Sequence, residues 1–133
     1  MSLYYVDTSA AIKLLVEEPH SQAFARLYDE NARASWVSSA LLRIELTRAV
    51  GRARPAALPE AKGLLTAFDY VAIDDGIVDG AMGEPDRMLR SLDAIHLATA
   101  RIFGSELSGL ATYDDRLAGA ARDAGIAVVD PRD

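Results

Sequence analysis

At 133 residues, half of them hydrophobic, the chain is long enough for one domain that buries about two-thirds of its unfolded surface. Cysteine is absent and only His20 and His96 offer imidazole, which excludes disulfides, thiol nucleophiles and thiolate zinc sites and leaves oxygen to hold any metal. A net charge of −6 argues against a nucleic-acid partner at first sight, but it does not decide the matter. Every basic residue except Lys13 and Lys62 is Arg, the type suited to bidentate phosphate contact, and Arg43, Arg48, Arg52 and Arg54 crowd together. Two divalent cations in an acidic pocket would also offset most of the excess negative charge. No linker, repeat or low-complexity tract interrupts the chain, so a single domain over residues 1–133 is expected. Without a signal-peptide pattern or an apolar run of membrane-spanning length, the expected location is the cytoplasm, with no membrane partner.

The chain opens on Leu3-Tyr4-Tyr5-Val6-Asp7-Thr8-Ser9, which reads as a buried strand with a carboxylate at its tip. In an open parallel sheet, ligands bind just beyond the carboxyl ends of the strands, so Asp7 stands where a site would be. The alternative is that Asp7, Thr8 or Ser9 only caps the following helix. That helix, over 9–16, ends at Glu17-Glu18-Pro19, because a residue preceding proline is pushed out of the helical region. A second helix is predicted over 20–31 on the spacing of Ala23, Phe24, Leu27 and Tyr28. A brief strand around Trp36-Val37 follows, and Ser38 or Ser39 is placed to cap the next helix.

Residues 40–52 form the next predicted helix, with Leu42, Leu46, Ala49 and Val50 on one stripe. Glu45 falls at the margin of that stripe, and its plain reading is a surface ion pair with Arg48. A helix over 58–68 leads into the strand-like Tyr70-Val71-Ala72-Ile73, after which Asp74, Asp75 and Gly76 read as a helix cap or turn. A short helix over 77–82 and a turn through Gly83, Glu84 and Pro85 come next.

The segment 91–103 is apolar almost all round, which marks a helix buried on most of its surface. Ser91 is its expected cap. Asp93, in the first turn, is favoured there by the helix dipole, yet a carboxylate beside so much apolar surface needs a partner. His96 reads as a core residue, or as one that supports a ligand from behind. Gly104 stops this helix, and Leu110-Ala111-Thr112-Tyr113 makes another strand that ends in Asp114-Asp115. A helix over 116–124, a stop at Gly125 and a last strand over 126–129 complete an alternation that means a parallel sheet covered on both faces.

Asp7, Glu45, Asp93 and Asp114 thus each stand at a strand tip or on a helix beside apolar surface. If folding gathers them, several negative charges share one partly dry pocket, which is costly unless protons or cations neutralise it. Hard oxygen ligands select Mg²⁺ or Mn²⁺, ions that lower the pKa of water and clamp the oxygens of a phosphodiester during in-line displacement.

The blocks Tyr5-Val6-Asp7-Thr8-Ser9-Ala10, Ser38-Ser39-Ala40-Leu41-Leu42-Arg43-Ile44-Glu45-Leu46, Ser91-Leu92-Asp93-Ala94-Ile95-His96-Leu97-Ala98-Thr99-Ala100 and Ala111-Thr112-Tyr113-Asp114 closely resemble the PIN-domain ribonucleases. The likeness is greatest to the VapC toxins of bacterial toxin–antitoxin pairs, spans essentially the whole chain and keeps the blocks in order. It implies a PIN-like three-layer α/β/α sandwich with a central, mostly parallel sheet. It also implies that Asp7, Glu45, Asp93 and Asp114 are the catalytic, metal-holding quartet for Mg²⁺, with Mn²⁺ as the alternative. Ser9 and Thr112 would assist by hydrogen bonding to a ligand, a bound water or a phosphate, and Asp115 would either support the cluster from outside or cap the following helix. The implied substrate is RNA, cut to a 3′-hydroxyl and a 5′-phosphate. The implied partners are a second copy of the chain, as a homodimer, and a VapB-like antitoxin that covers or fills the site. Arg43, Arg48, Arg52, Arg87 and Arg90 are candidates for RNA or antitoxin contact, with solvated surface charge as their plain reading.

Three rival functions fit less of the sequence. A receiver-type signalling domain needs a Lys near its last strand, where this chain has none, and a haloacid-dehalogenase-like phosphatase needs a second acid where this chain has Ser9. A catalytically silent PIN-like scaffold is the third, and retention of all four acids argues against it.

Overall fold

The computed structural model describes residues 2–133. Five strands, β1 (Leu3–Val6), β2 (Ser35–Ser39), β3 (Asp69–Val71), β4 (Gly109–Ala111) and β5 (Val128–Val129), form one sheet in the order β3-β2-β1-β4-β5. Every pairing is parallel, with Tyr5 opposite both Val37 and Leu110. Strand side chains alternate between faces, and the burial follows that alternation. Val6, Trp36 and Ala111 enter the apolar core on one face, and Tyr5, Val37 and Leu110 enter the core on the other.

Among the described residues, seven α-helices cover these two faces: α1 (Thr8–Ala11), α2 (Ser21–Glu30), α3 (Leu41–Ala53), α4 (Leu58–Leu65), α5 (Asp75–Met82), α6 (Ser91–Arg101) and α7 (Asp115–Asp123). The first core takes Ala10, Phe24, Leu42, Leu46, Val50 and Ala61 from α1 to α4, while Ala94, Leu97, Ala100, Leu117 and Ala121 from α6 and α7 fill the second. The result is the three-layer α/β/α sandwich expected from the alternation of strands and helices.

The strand order turns at β1, because the chain steps outward to β2 and β3 and then returns to lay β4 on the opposite side of β1. Crossover connections leave both neighbouring loops clear of the sheet at that point, and a crevice opens beyond the carboxyl ends of the strands. Asp7 follows β1 directly, and Thr112 to Asp114 follow β4. The chain terminus is tied to the same edge, with the Tyr113 hydroxyl donating to the Pro131 carbonyl at 2.7 Å.

The element boundaries depart from the sequence expectations in instructive ways. The expected helix over 9–16 is the single turn α1 continued by a 3₁₀ turn over Ile12–Leu14. Ser38 and Ser39 lie inside β2, where Ser38 Oγ donates to the Val6 carbonyl at 2.6 Å, while Ser39 Oγ still accepts from the Leu41 N–H at 3.1 Å. Ser91 is not a cap: the extended backbone that a cap requires falls on Arg90, whose side chain accepts nothing. The expected helix over 58–68 stops at Leu65, and Phe68 turns into the core instead. The strand expected over 110–113 ends at Ala111, which releases Thr112 and Tyr113 from the ladder; the Thr112 hydroxyl reaches Asp7, while the Tyr113 ring packs against Phe24 on the first core.

Candidate active site

Four carboxylates from four elements line one hollow of about 270 Å³ at this crevice. Asp7 comes from the end of β1, Glu45 from the second turn of α3, Asp93 from the first turn of α6, and Asp114 from the loop after β4. Thr8, Ser9, Ile12, Ala49, Arg90 and His96 complete the lining. Parallel strands bring Asp7 and Asp114 to one edge, and α3 and α6 close over it from opposite faces of the sheet.

Asp7 is the most firmly held of the four. Only 3% of its surface is exposed, and it caps α1 while also facing the hollow. Oδ1 accepts from the Ala10 N–H at 3.0 Å and from Ser9 Oγ at 2.7 Å, and Oδ2 accepts from Thr112 Oγ1 at 2.5 Å. Ser9 and Thr112 are fixed in turn, since their hydroxyls accept from the Tyr113 and Asp114 N–H groups at 2.8 and 3.1 Å. Burial raises the Asp7 pKa, and His96, Thr112, Ser9 and the Ala10 N–H act against that rise.

Glu45 makes no ion pair with Arg48 among the described residues. Its Oε1 accepts from Thr8 Oγ1 at 2.9 Å and lies 2.6 Å from His96 Nε2. Asp114 caps α7 through Oδ1, which accepts from the Leu117 N–H at 2.9 Å. Asp93 accepts no hydrogen bond from the described residues. Burial, followed by the nearby charges of Asp114 and Asp7, pushes its pKa up to about 6. That rise is what a half-buried carboxylate shows first for want of water and second for the two acids beside it.

The remaining predicted residues separate into two groups. Arg90 lines the hollow itself, and Arg48 and Arg52 follow Glu45 at three and seven positions, which puts them exposed on the same side of α3. Arg87 lines a neighbouring hollow between α5 and α6, and Arg43 lies on the other side of α3 with its guanidinium 4.8 Å from the Tyr70 ring centroid. Asp115 is exposed in the first turn of α7 and does not line the acidic hollow. Sequence reasoning missed Thr8 and Tyr5 as supports; both are joined to the site through partners more than thirty positions away, which leaves no local signal.

A larger hollow, about 710 Å³, lies beside α5 and α6. Of its three acids, Asp74 caps α5 through the Ile77 N–H and Glu84 is held by Arg101 at 2.9 Å, which leaves Asp79 as a single carboxylate with no second unengaged acid beside it. Size alone therefore does not identify the chemical centre.

The donor set of the acidic hollow suits a hard divalent cation. Oε2 of Glu45, Oδ2 of Asp114 and both oxygens of Asp93 have no donor among the described residues, and oxygen is the ligand type that Mg²⁺ and Mn²⁺ prefer. The carboxylates stand around the hollow and are not drawn to one point; among the described residues, no three acidic or histidine side chains already form a closed ligand cluster.

The PIN domain family model matches residues 4–123. Ribonuclease VapC35 of Mycobacterium tuberculosis is 43% identical over 131 residues, covering 97% of each chain. Among solved structures, the sarcin–ricin-loop-cleaving toxin VapC20 of Mycobacterium tuberculosis superposes with a TM-score of 0.75 at 20% identity, over 96% of this chain and 99% of the other. A toxin–antitoxin complex from Klebsiella pneumoniae superposes with a TM-score of 0.70 at 18% identity, over 100% of this chain and 99% of the other.

Proposed function

The chain belongs to the PIN-domain family and, within it, to the VapC ribonucleases, and from that membership we propose that it is a metal-dependent endoribonuclease acting as the toxin of a type II toxin–antitoxin module. The observation that carries the reading is the sharing of one hollow by Asp7, Glu45, Asp93 and Asp114, with Asp93 pushed up to about 6 by its surroundings. These four acids are the proposed ligands of Mg²⁺, with Mn²⁺ as a substitute. A divalent cation bound there supplies charge neutralisation at the phosphate and a water acidic enough to act as nucleophile near neutral pH.

The protein's own contribution is placement. Ser9 and Thr112 fix both oxygens of Asp7, so that the most buried acid keeps one orientation. Asp114 keeps one oxygen on the α7 cap and has the other to offer. Arg90, at the rim, is positioned to contact a phosphate adjacent to the one cut, and Arg48 and Arg52 extend the same track along α3. RNA bases splayed from a loop or single strand suit an open rim of this kind better than a duplex does. The products are a 3′-hydroxyl and a 5′-phosphate. Asp115 serves α7 and has no part in the chemistry.

The partners follow the same reading: a VapB-like antitoxin that covers the acidic hollow, and a second copy of the chain in a homodimer, each copy one PIN domain over residues 1–133. The likeness to a toxin–antitoxin complex supports the first of these. A cytoplasmic RNA substrate belongs to the same reading; no helix among the described residues is long and apolar enough to cross a membrane.

The test is cleavage of a mixture of structured RNAs, including sarcin–ricin-type hairpins, by purified protein freed of antitoxin, in Mg²⁺ or Mn²⁺. Cleavage is expected from the native chain and abolished by EDTA, by Asp7→Asn and by Asp93→Asn. Undiminished cleavage by both variants would trace the activity to a contaminant. Failure of the native chain on every RNA would favour the silent scaffold.

A further inference from the structure

The hydrogen bonds behind Glu45 lead out of the acidic hollow and into the core. Both donors to this carboxylate close on the same oxygen, Oε1: Thr8 Oγ1 at 2.9 Å and His96 Nε2 at 2.6 Å. A carboxylate only accepts, so Nε2 carries the hydrogen. The imidazole is fixed from its other side as well, because the Tyr5 hydroxyl lies 2.7 Å from Nδ1. Tyr5 is completely buried on β1, and its oxygen accepts from the Ser39 N–H of β2 at 3.1 Å, which leaves its own hydrogen free for Nδ1. One line of hydrogen bonds therefore runs from the backbone of β2 through β1 and α6 to the acid on α3.

A histidine kept only for packing would not need this arrangement. His96 is 1% exposed in a helix whose neighbours Leu97, Ala98 and Ala100 are apolar, and a backbone carbonyl would satisfy it. Both of its nitrogens are instead joined to side chains, Nε2 to an acid of the hollow and Nδ1 to a buried tyrosine hydroxyl. Glutamate is a flexible side chain that loses considerable rotamer freedom when ordered, and two donors on Oε1 remove that freedom before any ligand arrives.

We propose that His96, braced by Tyr5, is the positioning residue that ties down Oε1 of Glu45 and thereby presents Oε2 to a divalent cation. The proposal rests on the metal-dependent reading given above. Support of this kind behind a ligand contributes about 10–100-fold in metal affinity or activity in well-studied sites.

Three substitutions test it in the full chain. Glutamine sets its amide nitrogen near the place of Nε2, whereas asparagine reaches only as far as Nδ1. In calorimetric titration with Mn²⁺, His96→Asn is expected to weaken binding about 10–100-fold, and His96→Gln to restore it to within about threefold of the native protein. Tyr5→Phe, which removes the brace and keeps the ring, is expected to fall between them. The rise in Tm on adding Mn²⁺, measured for each variant against its own EDTA-treated form, should shrink in the same order. For RNA cleavage, His96→Asn should lower kcat and leave KM unchanged.

Native-like Mn²⁺ affinity in His96→Asn, or equal losses in the asparagine and glutamine variants, would reduce the ring to a packing element and overturn the proposal. Should His96→Asn fail to fold, Tyr5→Phe decides: weaker Mn²⁺ binding at an unchanged metal-free Tm supports the relay, and unchanged binding overturns it. Native protein that is folded yet takes up no Mn²⁺ would instead overturn the metal reading itself, an outcome distinct from binding that survives in all three variants.

Discussion

Asp93 carries the clearest conflict between stability and function. Its folded pKa is raised from 3.8 to about 6, first by burial and then by Asp114 and Asp7, so its ionised form opposes folding of the metal-free protein. That opposition is full above about pH 6 and fades as pH falls toward the unfolded value of about 4. Asp93→Asn removes both causes. Without metal at pH 7.5 its Tm is expected to equal or exceed that of the native chain, with the gap closing by about pH 4.5; a lower Tm at pH 7.5 would show that the carboxylate has stabilising partners. Since a cation binds the deprotonated acid, Mn²⁺ affinity of the native protein should fall progressively as pH drops through about 6. Affinity independent of pH between 5 and 7 would contradict the assignment of Asp93 as a ligand.

At the scale of elements, two capping aspartates separate structure from chemistry. Asp74 caps α5 and Asp114 caps α7 with nearly the same bond, each Oδ1 accepting from the N–H three positions on at 2.9 Å. Only Asp114 faces the four-acid hollow. Asn caps helices as well as Asp does, so Asp114→Asn should hold its Tm while losing RNA cleavage by on the order of 100-fold. Asp74→Ala should do the reverse, costing about 0.5–2 kcal/mol in stability and leaving cleavage intact. Thermal melts and cleavage rates on the same preparations check both expectations, and loss of cleavage in Asp74→Ala would point to a function for the larger hollow.

The same elements mark how far the sequence could be read. Asp7 and Asp114 were legible because an apolar run ending in an acid is a local signal, and parallel strands point such ends the same way. Glu45 and Asp93 were legible only as acids beside apolar surface; their approach to the strand tips depends on how α3 and α6 lie across opposite faces of the sheet. The plain Glu45–Arg48 pairing failed because His96 and Thr8, distant in sequence, offer donors at short range. Strand ends over 70–73 and 110–113 read too long, since apolar composition does not show where a ladder loses its partner strand. Beyond Ala111 that loss is what frees Thr112 for Asp7.

For the whole molecule, topology and charge act together. The reversal of strand order at β1 opens the crevice, and the two covering layers each contribute one acid to it. A negative chain that handles a polyanion needs positive charge at the point of contact, which Arg90, Arg48 and Arg52 and the bound cation would supply. The most direct measurement of this arrangement is anomalous diffraction from Mn²⁺-soaked crystals of the native protein. A peak is expected in the acidic hollow, within coordination distance of carboxylate oxygens from Asp7, Asp93, Asp114 and Oε2 of Glu45. Crystals with a peak only elsewhere, or none at a Mn²⁺ concentration that supports RNA cleavage in solution, would contradict the account.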